Sequence, residues 1–345
     1  MPPSLSEASC KTLSLSGARV LVTGSSGFIG RTLCRRLQAR GASVVGLDLE
    51  TAGQARAPGD GLPELEFHQG DMSDPALLEQ ALPGCAVVFN LAGRCGHLHS
   101  MEEPLADLHS NGVAQLALLE GCRRWAKSAH VIFASTRQVY GSVPCLPVNE
   151  TQPINPVDVN GIHKMAAELL HLLYSRQYGL CATVLRLTNT YGPGMNIQRP
   201  GRSFLGEWLR VLLRNEPIVL LGSGRQLRDL NCVDDVVDAF VRTAEAGRRV
   251  DSEVFNLGGV APISLCELAN ELSRLTGGRA RWRLEPFPTQ LRSIDIGDYW
   301  GDYTKIKDTL GWEPKTDLRQ GLGRLLEASG INGAEPPSPL VSASV

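Results

Sequence analysis

The segment Thr23-Gly24-Ser25-Ser26-Gly27-Phe28-Ile29-Gly30 decides how this chain is read. It follows a short apolar run, residues 18–23, and opens a helical pattern over 28–39. Glycines spaced GxxGxxG between a strand and a helix have a specific physical use. Gly24 permits the tight turn, Gly27 lets backbone approach a pyrophosphate, and Gly30 lets helix and strand pack closely. Unpaired N–H groups at the helix start, with Phe28 and Ile29 in its first turn, then meet the phosphates. Asp48 follows the next apolar run, about twenty residues on, where a carboxylate holds a ribose diol. A carboxylate there repels a 2′-phosphate, and Leu49 and Glu50 supply no arginine to hold one. The segment therefore predicts a Rossmann-type domain that binds NAD rather than NADP.

Outward from this loop, short apolar runs alternate with helical patterns. Strands are expected at 43–47, 65–69, 86–92, 130–134 and 181–187, and helices at 104–125 and 157–178. The run 86–92 is nearly all apolar, as a parallel strand buried on both faces is. The alternation predicts an α/β fold with a doubly wound parallel sheet. After Tyr191-Gly192-Pro193-Gly194 the pattern loosens into a smaller C-terminal substrate lobe. The expected division is a flexible leader over 1–16, the NAD-binding domain over 17–193, and the lobe mainly over 194–330. Residues around 231–258 are expected to return to the first domain, and 331–345 read as a disordered tail.

Composition narrows the function classes. The 345 residues carry 34 Lys and Arg against 36 Asp and Glu, a formal net charge of −2. Such a balance predicts no general attraction to nucleic acid or to anionic membranes. No apolar run is long enough to span a bilayer. The nine cysteines are scattered, with no CxxC pair. They fit free thiols in a reducing cytoplasm, and no metal site is expected.

The loop, Asp48, Gly70-Asp71-Met72, Asn90-Leu91-Ala92-Gly93 and Ser135-Thr136-Arg137-Gln138-Val139-Tyr140-Gly141 resemble the extended short-chain dehydrogenase/reductases. Within these the chain is similar to the nucleotide-sugar epimerases and dehydratases, of the UDP-glucose 4-epimerase kind, over about residues 17–325. Three later stretches support it: Arg186-Leu187-Thr188-Asn189-Thr190-Tyr191-Gly192-Pro193, Gly222-Ser223-Gly224-Arg225-Gln226-Leu227-Arg228-Asp229 and Leu310-Gly311-Trp312-Glu313-Pro314. Asp71, after the third strand, is the candidate for the adenine amino group, and Met72, Leu91, Ala92 and Gly93 are further cofactor-binding candidates. The resemblance implies that Asn189 and Arg228 bind a nucleotide-sugar diphosphate; independently, a diphosphate needs cations in the second lobe, and Arg228 and Arg292 are the candidates. Cys95, His97 and Ser135 are placed by the resemblance at the sugar.

The family's catalytic set is Ser/Thr, Tyr and Lys, with Tyr-x-x-x-Lys on one helix face. Thr136 and Lys164 match, but the Tyr position holds Asn160. An amide only donates and accepts hydrogen bonds and is no general base. Three explanations compete. His163, or His97 or Cys95, takes the proton; or Thr136 and a water chain relay it, with Asn160 orienting the substrate; or nothing is turned over. Dehydratases of the family carry Asp-Glu directly after the Thr, and decarboxylases favour an acid at the second position. Arg137-Gln138 stand there instead, which disfavours elimination. The expected function is therefore an NAD-dependent nucleotide-sugar epimerase. The alternatives are a dehydratase or dehydrogenase with a rewired proton path, and a non-catalytic regulator that binds NAD or a nucleotide sugar. A homodimer is expected through two helices crowded with apolar residues, Ala114, Leu116, Ala117, Leu118 and Leu119 on one, Ala166, Ala167, Leu169, Leu170, Leu172 and Leu173 on the other.

Overall fold

The computed structural model describes residues 12–49, 65–197, 201 and 203–331. Its strands are β1 (Arg19–Thr23), β2 (Ser43–Asp48), β3 (Glu66–Gln69), β4 (Val87–Asn90), β5 (His130–Thr136), β6 (Cys181–Leu187), β7 (Asn189–Tyr191), β8 (Ile218–Leu221), β9 (Leu227–Cys232), β10 (Val254–Asn256), β11 (Pro262–Ser264) and β12 (Trp282–Glu285). Seven of them form one sheet in the order β10-β6-β5-β4-β1-β2-β3. Every pairing in it is parallel. All four residues of β4 are buried, because helices cover both faces of the sheet.

The helices are α1 (Phe28–Ala39), α2 (Pro75–Ala81), α3 (His97–Glu102), α4 (Pro104–Leu108), α5 (Ala114–Trp125), α6 (Val159–Tyr178), α7 (Phe204–Leu213), α8 (Val233–Ala246), α9 (Leu265–Leu275), α10 (Thr304–Leu310) and α11 (Leu318–Ala328). Leu33 and Leu37 of α1 share one core with Val236 and Phe240 of α8. On the opposite face, Leu78 of α2, Leu118 of α5 and Tyr174 of α6 share a second. The sheet order reverses between β1 and β4. Ligands of open α/β sheets bind in the crevice outside the strand C-termini at such a point. Thr23, Asp48, Asn90 and Thr136 all end strands on that edge.

The smaller lobe holds a three-stranded sheet, β11-β9-β7, and a two-stranded one, β12-β8. Its core includes Trp208, Leu212, Leu268, Leu272 and Leu325. The α8 helix and the β10 strand pack with the main sheet. Trp312 is buried in that first core, its indole N–H donating to the Asp235 carbonyl at 2.9 Å.

Three boundaries differ from expectation. The helix expected over 104–125 is interrupted by a π-helical turn, His109–Val113. That turn holds Asn111 fully buried, and its amide donates to the Arg94 carbonyl at 3.1 Å. The helix expected from 157 begins at Val159, because Asp158 caps it by accepting the Gly161 N–H at 2.7 Å. At the N-terminal end, Leu15 is buried and the Leu13 N–H bonds the Glu245 carbonyl, so this part of the expected leader packs. Residues 1–11, Glu50 and the tail over 332–345 lie outside the described residues.

Candidate active site

The cofactor loop has the geometry its glycines foretell. Gly24 takes φ +70°, and a Cβ there would stand 3.0 Å from the Ala92 nitrogen. A Cβ at Gly30 would stand 2.1 Å from the Gly24 carbonyl oxygen, so loop and helix touch with no room for a side chain. Gly27 caps α1 with no side-chain hydrogen bond, which leaves the first N–H groups of the helix for a phosphate. Asp48 accepts the Ser26 N–H at 2.9 Å and so stands at the mouth of this loop. The Ser25 hydroxyl is buried there without a partner. Phe28 and Ile29 pack partly into the core at the start of α1. These features fit a dinucleotide. Asp71 accepts from Ser73 N–H and pairs with His109 at 2.9 Å, while the Met72 side chain is buried in the core, leaving its main chain for a ligand.

The loop after β4 is tied down from beneath. The Thr23 hydroxyl accepts the Ala92 N–H and donates to Asn90, each at 3.1 Å. The Gln115 amide donates to the Ala92 carbonyl at 3.0 Å. Leu91 packs partly against the core. Above Gly93, a Cβ would meet the Asn111 amide oxygen at 2.5 Å and Lys164 Nζ at 3.1 Å. Lys164 is buried and donates to the Ala134 carbonyl at 3.0 Å, and burial pushes its ammonium down to about 8. The Asn111 oxygen beside it is buried without a partner.

Asn160 lies one helical turn before Lys164. Its amide nitrogen donates to the Arg94 carbonyl and to Asp107, both at 3.0 Å. His163 pairs through Nδ1 with the other oxygen of Asp107 at 2.8 Å. One carboxylate thus holds both residues against α4. His97, at the start of α3, pairs through Nδ1 with Asp158 at 2.7 Å, and the Gln138 amide nitrogen lies against both ring nitrogens. Burial opposes the Asp158 charge, but the hydrogen bonds from His97 and Gly161 outweigh it and hold its carboxyl below the ordinary range. Thr136 is half-buried, its hydroxyl accepting the Gln138 N–H at 3.3 Å. Cys95 is exposed in the same loop as His97.

Ser135 requires a correction. It is buried and donates to Glu168, which also pairs with the buried Arg186 at 2.7 Å. Neighbouring strand residues point to opposite faces, so with Thr136 at the crevice Ser135 turns into the sheet, away from a sugar.

On the lobe side, Arg137 is buried. Its Nη2 donates to Asn189 at 3.3 Å, it stacks on Tyr299 at 5.3 Å, and its Nη1 has no partner. Burial first, and then the charge of Arg228, push its guanidinium down to about 10. Arg228 donates to the Gly297 carbonyl at 2.7 Å and stands 3.6 Å from Asp295; burial lowers it too. Asn189 also donates to the Asp229 carbonyl at 3.1 Å. Arg292 is exposed on the segment that carries Asp295 and Gly297. The loop, Lys164, Thr136, His97, Arg137, Asn189 and Arg228 thus lie along one strand edge and the lobe facing it.

Residues 20–258 match the family model described as the NAD dependent epimerase/dehydratase family. The chain belongs to this epimerase/dehydratase family. NAD is the cofactor the family is built around, and the loop at Gly24–Gly30 and Asp48 fits it. Among curated relatives of the family, the chain is 31% identical over 314 residues to a UDP-glucose 4-epimerase of Mycolicibacterium smegmatis, covering 90% of this chain and 97% of that one. It is 33% identical over 313 residues to UDP-glucuronic acid decarboxylase 2 of Arabidopsis thaliana, covering 89% and 67%. A solved UDP-glucose 4-epimerase of Thermotoga maritima with UDP-glucose superposes with a TM-score of 0.81 at 31% identity, covering 90% and 98%.

Asp158 and Asp107 escape sequence reading, and the contacts of Arg137 and Gln138 do as well. Asp158 alone left a local signal, as an acidic residue just before the catalytic-helix pattern. Arg137 and Gln138 were legible only for the acids they replace.

Proposed function

We propose that this chain is an NAD-dependent nucleotide-sugar epimerase that oxidises the sugar transiently at C4 and reduces it again on the other face. The observation that carries the nucleotide-sugar part is the guanidinium of Arg137. It is buried, has no carboxylate partner among the described residues, keeps an unpartnered Nη1, and feels the like charge of Arg228. A buried guanidinium with an unpartnered Nη1, close enough to feel a second and partly buried one, favours an anion there. The diphosphate of a nucleotide sugar supplies one, with Asn189 as a neutral hydrogen-bonding partner.

Bound NAD supplies the acceptor, and afterwards the donor, of a hydrogen carried with two electrons. Asp48 and the N–H groups at the start of α1 hold its ribose and pyrophosphate. Lys164, beside Gly93 and Asn111, donates to the nicotinamide ribose. The Thr136 hydroxyl orients the reacting sugar hydroxyl. Arg137 and Gln138 leave no acid positioned beside Thr136 to expel water, so the oxidised sugar is reduced rather than dehydrated. Asn160 is the observation that favours a second reading, a non-catalytic sensor of NAD and nucleotide sugar.

A homodimer accompanies this reading. Leu105, Val113, Leu116, Ile162, Leu169 and Leu173 are exposed along α4 to α6, while Ala114, Leu118, Leu119 and Ala167 are core. A monomer mass in solution contradicts it. No helix among the described residues is long and apolar enough to cross a membrane, and we place the enzyme in the cytoplasm.

Calorimetric titration with UDP tests the diphosphate site. Arg137→Ala and Arg228→Ala should each weaken binding tenfold or more, with NAD binding retained; unchanged UDP affinity in both overturns the assignment.

A further inference from the structure

We propose that His97, oriented by Asp158, is the group that takes the proton from the reacting sugar hydroxyl in place of the absent tyrosine. The inference rests on the functional reading above only in needing a sugar hydroxyl that is oxidised.

The three candidate bases are His163, Cys95 and His97, and their surroundings separate them: the Cys95 thiol is exposed, and no hydrogen bond orients it among the described residues. Asn160 has no basic atom, and its amide N–H groups are spent on Arg94 and Asp107. His163 is one residue before Lys164, so it projects about 100° around the helix from the lysine. Its partner Asp107 lies on α4 and is almost fully buried. His163 is thereby fastened between helices. His97 has an equally buried partner, Asp158, but is itself the more exposed of the two histidines. Its side chain is 37% exposed, and its neighbours are the crevice ends of two elements, Gln138 after β5 and Asp158 at the cap of α6. Gln138 is also the residue whose backbone N–H bonds the Thr136 hydroxyl, so one residue touches both Thr136 and His97.

The hydrogen bonds fix the tautomer this role requires. Asp158 is a carboxylate with no exposed side-chain surface, so it accepts and His97 Nδ1 carries the hydrogen. The Gln138 amide nitrogen lies against both ring nitrogens, and Nε2 is the one left with its lone pair. The Gln138 amide oxygen is buried and without a partner. A half-turn of that amide presents the oxygen to a protonated Nε2. The one side chain therefore offers Nε2 a partner in either protonation state of the imidazole. This is the base-and-orienter arrangement that activates histidine elsewhere.

The step balances as follows. The sugar O–H bond breaks and its proton passes to His97 Nε2. The C–H hydrogen leaves with its electron pair to the oxidised dinucleotide, and the C–O bond becomes a carbonyl. Reversal returns the proton from His97 to the oxygen. The charged and titratable groups about His97 are Asp158 on α6, Arg137 after β5, whose charge acts on Asp158, and Cys95 in its own loop, which feels Lys164. His99 on α3 pairs with Glu102 at 3.4 Å.

The test uses the full chain with NAD. Wild type is first incubated with UDP-sugars to find one it oxidises, by NADH absorbance or by product. His97→Asn should lower turnover at least a hundredfold, within the range for loss of a general base. NAD and UDP-sugar affinities, read by calorimetry, should stay within threefold. The acid limb of the kcat/KM profile should disappear, and added imidazole should restore part of the rate in His97→Gly. Asp158→Asn keeps a good helix cap, so it should bind both ligands and lose tenfold or more in turnover. If His97→Asn retains a third or more of wild-type turnover, or keeps the acid limb, the proposal is wrong whatever product is made. If wild type oxidises a sugar but makes no epimer, the epimerase reading fails while the His97 result still decides the base. A wild type that oxidises no sugar overturns both.

Discussion

Gly30 and Asp48 do their work through position more than through chemistry. A methyl group at Gly30 would have to occupy space 2.1 Å from a backbone oxygen. Gly30→Ala must therefore push α1 away from the loop. The expected result is NAD binding at least tenfold weaker, with UDP binding in the lobe within threefold, measured by separate titrations. At this scale the cofactor side was legible in the chain, because its residues are bound to a local strand–turn–helix pattern. Thr136 and Lys164 were legible for the same reason. His97, Asp158, Gln138 and Asp107 were harder to read as a set, because their pairs join positions 41 to 61 residues apart. No periodicity links such residues; only the folded topology does. Ser135 shows the converse, since a motif position one residue from Thr136 faces the opposite side of the strand.

Among the elements, α6 carries the most. Its N-terminal cap holds His97, its second turn holds Lys164, and its middle is fastened to β5 and β6 by Glu168. That carboxylate, 2% exposed, pairs with Arg186 and accepts from Ser135. Arg186 in turn donates to the Tyr140 hydroxyl at 2.7 Å. Removing one partner of a buried pair strands the other charge, at about 3–5 kcal/mol. Glu168→Ala should lose stability of that order in urea unfolding, and Glu168→Ala with Arg186→Met should recover a large part of it. A loss below 1 kcal/mol would show that the pair does not fasten the helix. Strand and helix existence followed from apolar period. The π-helical turn at His109–Val113 did not, since a run that is helical throughout gives no sign of one extra residue. That residue brings Asn111 to Gly93, beside the lysine.

For the molecule as a whole, buried titratable groups give stability a definite pH dependence. Burial lowers His130 and His171 to about 4, so both stay neutral in the folded state. Between about pH 6.5 and pH 4 the unfolded chain binds two more protons at these sites, and stability falls with pH by about 1.4 kcal/mol per unit for each. Asp229 works against them: burial raises its carboxyl to about 6, so the folded state holds a proton there that the unfolded chain releases above about pH 4. From these three groups the expectation over pH 4–6 is a loss on acidification worth about one proton, seen in urea midpoints. His171→Asn should flatten it, and an unchanged slope would mean that His171 is not neutral in the fold.

The reaction proposed for this site interconverts epimers of a nucleotide sugar without consuming its cofactor. The direct measurement is proton NMR of UDP-glucose, UDP-galactose and UDP-glucuronic acid, each incubated with the NAD-loaded protein while absorbance near the NADH band is followed. The account predicts that one C4 pair reaches the same equilibrium mixture from either epimer, with no lasting NADH. NADH rising in step with oxidised sugar, a product that has lost water or carbon dioxide, or unchanged sugars throughout would contradict it.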